Sequence, residues 1–390
     1  MGEAYIVAAA RTAGGRRGGR LTGWHPADLG GAVLDALITR SGADPALIED
    51  VIMGCVSQFA QQSGNIARSS VLSSSLPESV PGTSVDRQCG SSQQALHFAA
   101  ATVMSGQMDC VIAAGVESMT RVPMGAASKL AHDAGMGGMM SPRMKTRYPG
   151  VTFSQFTGAE MLAAKHDLSR DMLDEYGYGS QVKAASATRD GALAAEIVAV
   201  DVTLPDGSTV AHSIDEGIRF DASLDGVRGV KLITEGGRLT AATSSQICDG
   251  ASGVMVVNER GLKALGTAPL ARIHHMTVVA EDPVIMLEAP IGATQRALQR
   301  AGMSIGDIDL YEVNEAFASV PMAWLKVIGA DPARLNVNGG AIALGHPLGA
   351  SGTKLMATLV HALRARGKRY GLQTMCEGGG LANVTIVEAL

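Results

Sequence analysis

The chain has 390 residues, of which 48 are glycine, about 12% against a usual share of roughly 7%, and it carries only six Phe, six Tyr and two Trp. With 46% hydrophobic and 18% charged residues it can bury a large core and is not disordered, and at roughly 150 residues per domain its length calls for two or three packed units. A net charge of -5 without a long Lys/Arg block excludes a general nucleic-acid binder, and five cysteines without CxxC spacing make neither a disulfide framework nor a zinc site and imply a reducing cytosol.

Apolar strand-like and helix-like runs alternate, which predicts an α/β fold with buried sheets. Residues 5–9 read as a strand, 11–20 as a Gly/Arg loop and 27–41 as an amphipathic helix. Glu3 precedes a seven-residue apolar stretch, too short for a signal peptide, and no run approaches the roughly 18 apolar residues of a membrane span, so a cytoplasmic, membrane-free protein is expected. Residues 51–56 and 109–115 (DCVIAAG) read as buried strands. Between them, 90–106 reads as a helix that is small or apolar on nearly every side in its second half, and so lies between layers.

From 121 to 150 Gly, Met and Ser dominate, and seven of the 19 methionines fall between Met119 and Met161. That pattern predicts a long excursion covering a binding cleft. Helical patterns resume at 159–166 and 172–190, charged irregular sequence runs from 201 to 235, and a strand returns at 253–257. Arg16-Arg17 and the basic stretch 364–369 read as solvated surface.

The chain repeats itself. Ile48-Glu-Asp-Val-Ile matches Ile305-Gly-Asp-Ile-Asp at an offset of 257 residues, which carries Cys89 onto His346. The following helices correspond too, and each leads to a strand, DCVIAAG or YGLQTMC. Two similar halves around an inserted middle are therefore predicted.

Cys89, in VDRQCGSSQQA, stands at a strand-to-helix junction, where the helix dipole is expected to lower the thiol pKa and Gly90 leaves room for a carbonyl, the setting of a nucleophile. His346, in NGGAIALGHPLGASG, is placed by the repeat opposite that thiol as a candidate general base. Cys376 follows the strand 371–375 and precedes Glu377 and three glycines whose free N–H groups suit an oxyanion, core packing being the alternative. Asn314 ends a strand, where it orients a water or caps the next helix. Cys55, Cys110 and Cys248 read as core, the other histidines as surface or satisfied core, and no spacing suggests a metal or a nucleotide-phosphate loop.

Together these segments resemble the thiolase family of acyl-CoA C-acyltransferases, across essentially the whole chain. The motifs are AARTAGGRRGGRL, GVESM, GRLTAATSSQICDGAS, NEAF, GGAIALGHPLGASG and CEGGG. The resemblance implies two βαβαβαββ halves in a five-layered α-β-α-β-α sandwich: residues 1–118 completed by 248–267, a loop domain over 119–247, and 268–390.

It also implies that Cys89 accepts the acyl group, that His346 activates it and that Cys376 moves a proton on the second substrate. One oxyanion hole falls to His346 with an Asn314-held water, another to the backbone N–H groups of Cys89 and Gly378. Arg219 and Ser245 match coenzyme A contacts, coenzyme A being a substrate and not a resident cofactor, and a homodimer or homotetramer is implied. Gln155-Phe-Thr-Gly-Ala-Glu and Thr243-Ser-Ser-Gln depart from the pattern of acetoacetyl-CoA enzymes. VDRQCGSSQQA and TMCEGGG look like thiolases of actinobacterial lipid and steroid breakdown, so a degradative 3-ketoacyl-CoA thiolase is expected. Condensation of two acetyl-CoA is the alternative. A ketoacyl synthase would use two histidines in place of Asn314 and Cys376, and a silent lipid carrier would not need all four polar residues.

Overall fold

The computed structural model describes residues 2–390. Its main sheet runs Leu310–Val313, Tyr370–Glu377, Leu381–Ala389, Ala271–Ala280, Tyr5–Thr12, Cys248–Val257, Cys110–Ser118, Asp50–Gly54, Gly82–Val85. Read outward from the middle, the two sides are copies. Asp50–Gly54 lies parallel to Cys110–Ser118, which is antiparallel to Cys248–Val257. Likewise Leu310–Val313 lies parallel to Tyr370–Glu377, which is antiparallel to Leu381–Ala389. A parallel bridge from Tyr311 to Leu335 stands where Gly82–Val85 pairs in the first half. Within the sheet the halves join where Tyr5 pairs with Arg272 and Ile6 with Ala271.

Strand periodicity then builds the layers. In Cys110–Ser118 the side chains of Ile112, Ala114 and Val116 enter an outer core with Val33, Leu34 and Leu37 of the helix Pro26–Ser41. Val111 and Ala113 point the other way, into a central core with Leu96, Ala99 and Ala100 of the helix Ser91–Met104 and Met356, Ala357 and Val360 of the helix Ser351–Ala365. Strands of both halves, among them Val254, Val256, Ile273, Leu310 and Val387, close on this pair. A second outer core under Ala289–Ala301 and Ser319–Ile328 completes the sequence helix, sheet, helix pair, sheet, helix. The all-round apolar character of residues 95–103 is thus that of a helix with sheet on both sides.

The two central helices meet at their N-termini. Thr353 N donates to Ser92 Oγ at 3.0 Å, and Gln373 Nε2 donates to Gly352 O at 2.7 Å. A Cβ on Gly352 would stand 2.1 Å from the Gln93 nitrogen, so only glycine lets the two starts approach this closely.

The middle of the chain is more ordered than its composition suggests. The stretch 121–150 holds the helices Ala126–Asp133 and Pro142–Arg147, the second started by Ser141 and Pro142. The region 201–235, read as irregular, contains a hairpin of Val200–Thr203 and Thr209–His212 and a short helix, Leu224–Arg228. Asp206-Gly207, with Gly207 at φ +83°, is the turn signal that announces the hairpin. Arg11, wholly buried, ties the insert to the sheet, bonding Glu196 at 2.5 Å and Asp215 at 2.7 Å. No helix among the described residues is long and apolar enough to cross a membrane.

Gly352→Ala is expected to lower the unfolding free energy by roughly 3 kcal/mol, the upper range for overpacking against backbone. The denaturant midpoint checks this, and an unshifted midpoint would mean the helix starts tolerate separation.

Candidate active site

The turn before the Ser91–Met104 helix presents Cys89. Gln88 sits at φ +50°, a left-handed conformation unusual for a side chain with a Cβ, held because Ser91 Oγ donates to Gln88 O at 2.6 Å and accepts from Arg87 N at 2.9 Å. Cys89 is partly exposed, whereas the other four cysteines are buried. The expected depression of its pKa is not found. Burial, and then Glu377 when ionised, push the thiol up to about 12, so the resting group is a thiol.

His346 lies in the turn before the partner helix, its N–H bonded to Gln246 O at 3.1 Å. The imidazole is buried, and Nδ1 faces Ser351 Oγ at 2.5 Å. Because Ser351 spends its own proton on Pro347 O, at 2.9 Å, it accepts from Nδ1–H, which fixes the tautomer and leaves the lone pair on Nε2. Asn314 Nδ2, just past the strand Leu310–Val313, stands 3.4 Å from that Nε2. Burial and the nearby Lys354 ammonium lower the imidazole to about 3, so the resting ring is neutral. Lys354 is itself held away from the ring by Leu344 O and Gly345 O, at 2.5 and 2.8 Å.

Cys376 lies within the strand Tyr370–Glu377 and not after it, because pairing with Ala382 continues through Glu377. The thiol is buried, and burial and the neighbouring Cys89 raise its pKa well above the ordinary value. Its strand end meets the Cys89 turn in two places: the Glu377 carboxyl fills the space a Gly90 Cβ would need, and the Gln88 side chain fills that of a Gly378 Cβ.

A cleft of about 840 Å³ opens beside this group. His346 lines it together with Arg219, Ser245, Phe156 and Phe317, while Cys89, Cys376 and Asn314 do not. Arg16 and Arg17, read as plain surface, also line it, with the Arg16 side chain 61% exposed. Of the Met-rich excursion only Met119 and Met124 reach the wall, and Met136 and Met139 stay exposed. Among the described residues no group of three or more His, Cys, Asp or Glu side chains is arranged to hold a metal.

Sequence reading missed the residues that hold the site in place. Ser351 is one; two carboxylates are others. Glu117 accepts from the N–H groups of Val56, Ser57 and Gly349 at 2.9 to 3.0 Å, pinning the His346 turn to the first half. Glu315 accepts from Ser180 Oγ at 2.6 Å, Tyr176 Oη at 3.0 Å and Ile342 N at 3.1 Å. Glutamate after Asn314 and at the end of an apolar strand was the available signal, since such carboxylates are buried only when paired.

The family description "Thiolase, N-terminal domain" matches residues 4–260, and "Thiolase, C-terminal domain" matches 267–389. A steroid 3-ketoacyl-CoA thiolase of Mycobacterium tuberculosis is 50% identical over all of this chain and 95% of its own length. A 3-ketoacyl-CoA thiolase of Pseudoalteromonas translucida is 39% identical over all of this chain and 99% of its own. The solved structure of the Bacillus anthracis acetyl-CoA acetyltransferase superposes with a TM-score of 0.91 at 31% identity, covering 100% of this chain and 99% of the other. Matched from end to end in sequence and in fold, the chain belongs to the thiolase family.

Proposed function

We propose that this protein is a degradative thiolase that cleaves 3-ketoacyl-CoA with coenzyme A, releasing acetyl-CoA or propionyl-CoA and a shortened acyl-CoA. The observation that carries the reading is the fixed His346 tautomer, with Nε2 left as an acceptor facing the Asn314 amide and the Cys89 turn packed against the Cys376 strand.

In the first half-reaction Cys89 sulfur attacks the 3-keto carbon while His346 Nε2 takes the thiol proton. The developing oxyanion is met by hydrogen-bond donors, one set being His346 Nε2–H, formed once it holds the thiol proton, with a water held by Asn314, the other the backbone N–H groups of Cys89 and Gly378. Collapse breaks the carbon–carbon bond, leaving an acyl thioester on Cys89, and the departing enolate takes its proton from Cys376. In the second half the Cys376 thiolate takes the proton of coenzyme A, whose sulfur attacks the thioester, and Cys89 regains its proton from His346. The enzyme ends as it began. A thiol near 12 and an imidazole near 3 form no resting ion pair, so proton transfer accompanies attack on the substrate.

A bulky acyl group is supported by the apolar wall of Met119, Met124, Phe156, Ile247, Phe317 and Leu348, and by 50% identity to a steroid 3-ketoacyl-CoA thiolase. Arg219 and Ser245, on the same cleft, are assigned to coenzyme A.

Thiolysis of a panel from acetoacetyl-CoA to ring-bearing 3-ketoacyl-CoAs, followed by loss of ketoacyl-CoA absorbance, is expected to favour the ring-bearing members. Preference for acetoacetyl-CoA would support the biosynthetic reading instead, and no turnover of any member by folded protein would sink the proposal. Cys89→Ala is expected to abolish turnover. Cys376→Ser should still be acylated at Cys89 by a simple acyl-CoA, seen as a mass increase, while carbon–carbon cleavage is largely lost. Ser351→Ala leaves Nδ1–H unpaired in the core, a cost of about 1–3 kcal/mol, and should lower kcat roughly ten- to hundredfold with KM for coenzyme A unchanged.

A further inference from the structure

One buried ionisable group sits on the strand that carries Cys376, packed against the turn that carries Cys89, and takes no part in the mechanism above. Glu377 ends the strand that carries Cys376, and its side chain is fully buried. Its carboxyl lies over the bare α-carbon of Gly90, where a Cβ would come within 2.0 Å of Oε1. Neither carboxyl oxygen has a hydrogen-bond partner. Glu117 and Glu315, also buried, are bonded by several donors, whereas Glu377 has none and shares that state only in part with carboxylates such as Glu312, one oxygen of which is likewise unpartnered.

The groups that face it are few. The Cys89 turn contributes Arg87, whose Nε is itself unpartnered, and Cys89; its own strand contributes Cys376; the strand Leu381–Ala389 contributes the backbone N–H of Asn383. Glu377 in turn is the foremost charge acting on Cys89, ahead of Glu117 and Asp86, and it also acts on Cys376.

We propose that Glu377 is a positioning residue that sets the acidity of the Cys89–Cys376 pair: neutral in the working enzyme, it leaves the thiols able to ionise, and when ionised it suppresses them. The sense follows from Coulomb's law, because a carboxylate beside a sulfur disfavours a second negative charge. Burial raises the Glu377 carboxyl to about 8, so it is neutral below that pH and charged above it. A buried Glu at this position therefore couples the nucleophile to pH in a range where a solvated carboxylate would not titrate. The inference rests on the thiolase chemistry only for its consequence; the thiol acidity itself is measurable without turnover.

The test is the second-order rate of Cys89 alkylation by iodoacetamide between pH 6.5 and 9.5, with the modified peptide identified by mass. In Glu377→Gln the rate should climb tenfold per pH unit throughout. In the unmodified chain it should match Glu377→Gln at pH 6.5, flatten near pH 8, and lag by roughly tenfold at pH 9, the effect of a one-unit rise in thiol pKa. Coincident profiles, or a constant gap at every pH, would overturn the proposal, the second because it reports packing and not charge. Should Glu377→Gln fail to fold, as judged by its melting transition, the profile of the unmodified chain decides: a flattening near pH 8 supports the proposal and an unbroken tenfold-per-unit climb rejects it. A thiolase reading that failed in the substrate panel would leave this titration unaffected.

Discussion

Everything in this active site depends on two helix starts being allowed to touch. Ser91–Met104 and Ser351–Ala365 come from different halves of the chain and meet N-terminus to N-terminus, with Gly352 against the backbone of Gln93 and Gly115 against the carbonyl of Gly349. Side chains at those points would separate the turn that carries Cys89 from the turn that carries His346. The glycine excess of the composition is in part the sequence record of this approach, since close packing of backbone against backbone admits no Cβ. Glu117 adds a further polar tie across it, holding Gly349 N while it also holds Val56 and Ser57.

Two helix starts aimed at one space bring partial positive charge there, which favours anions. Burial works the other way, and for the resting thiol it is the larger effect: Cys89 stands near 12. Dipoles fixed in place still contribute when negative charge forms on a substrate oxygen, because they need no reorganisation at that moment. The site thus stabilises the charge that appears during reaction better than the charge that would sit on the free enzyme.

How much of this could be read from the chain is uneven. The duplication was legible because the match of Ile48 with Ile305 carried Cys89 onto His346, and the sheet order is symmetric about the Tyr5–Arg272 pair as that match requires. Buried strands such as Cys110–Ser118 were legible because apolar residues on both faces mean helices on both sides. The acidity of Cys89 was not, because a dipole is a local property of the chain whereas desolvation depends on what the fold packs around the sulfur. Ser351 was equally hidden: a serine five residues after a histidine means nothing until the turn folds back and places Oγ on Nδ1. The hairpin at Asp206-Gly207 was visible in principle and was masked by the charged residues around it.

The symmetry of the scaffold makes the asymmetry of its charges informative. Near the thiol stand Glu117 and Asp86, which raise its pKa, and Glu377, which does so when ionised; near the imidazole stands an ammonium, Lys354, lowering the other. Both fields drive their group toward the uncharged form. A cysteine protease gains its reactivity from a preformed thiolate–imidazolium pair, which any electrophile can exploit. Here burial and these charges favour the neutral form of both groups, so in the proposed reaction the thiolate forms only as a carbonyl arrives to receive it. For an enzyme whose own substrates and products are thiols and thioesters, a sulfur that stays protonated until its partner is seated is the chemically consistent arrangement, and it follows from where the duplicated halves put their acids and their one buried lysine.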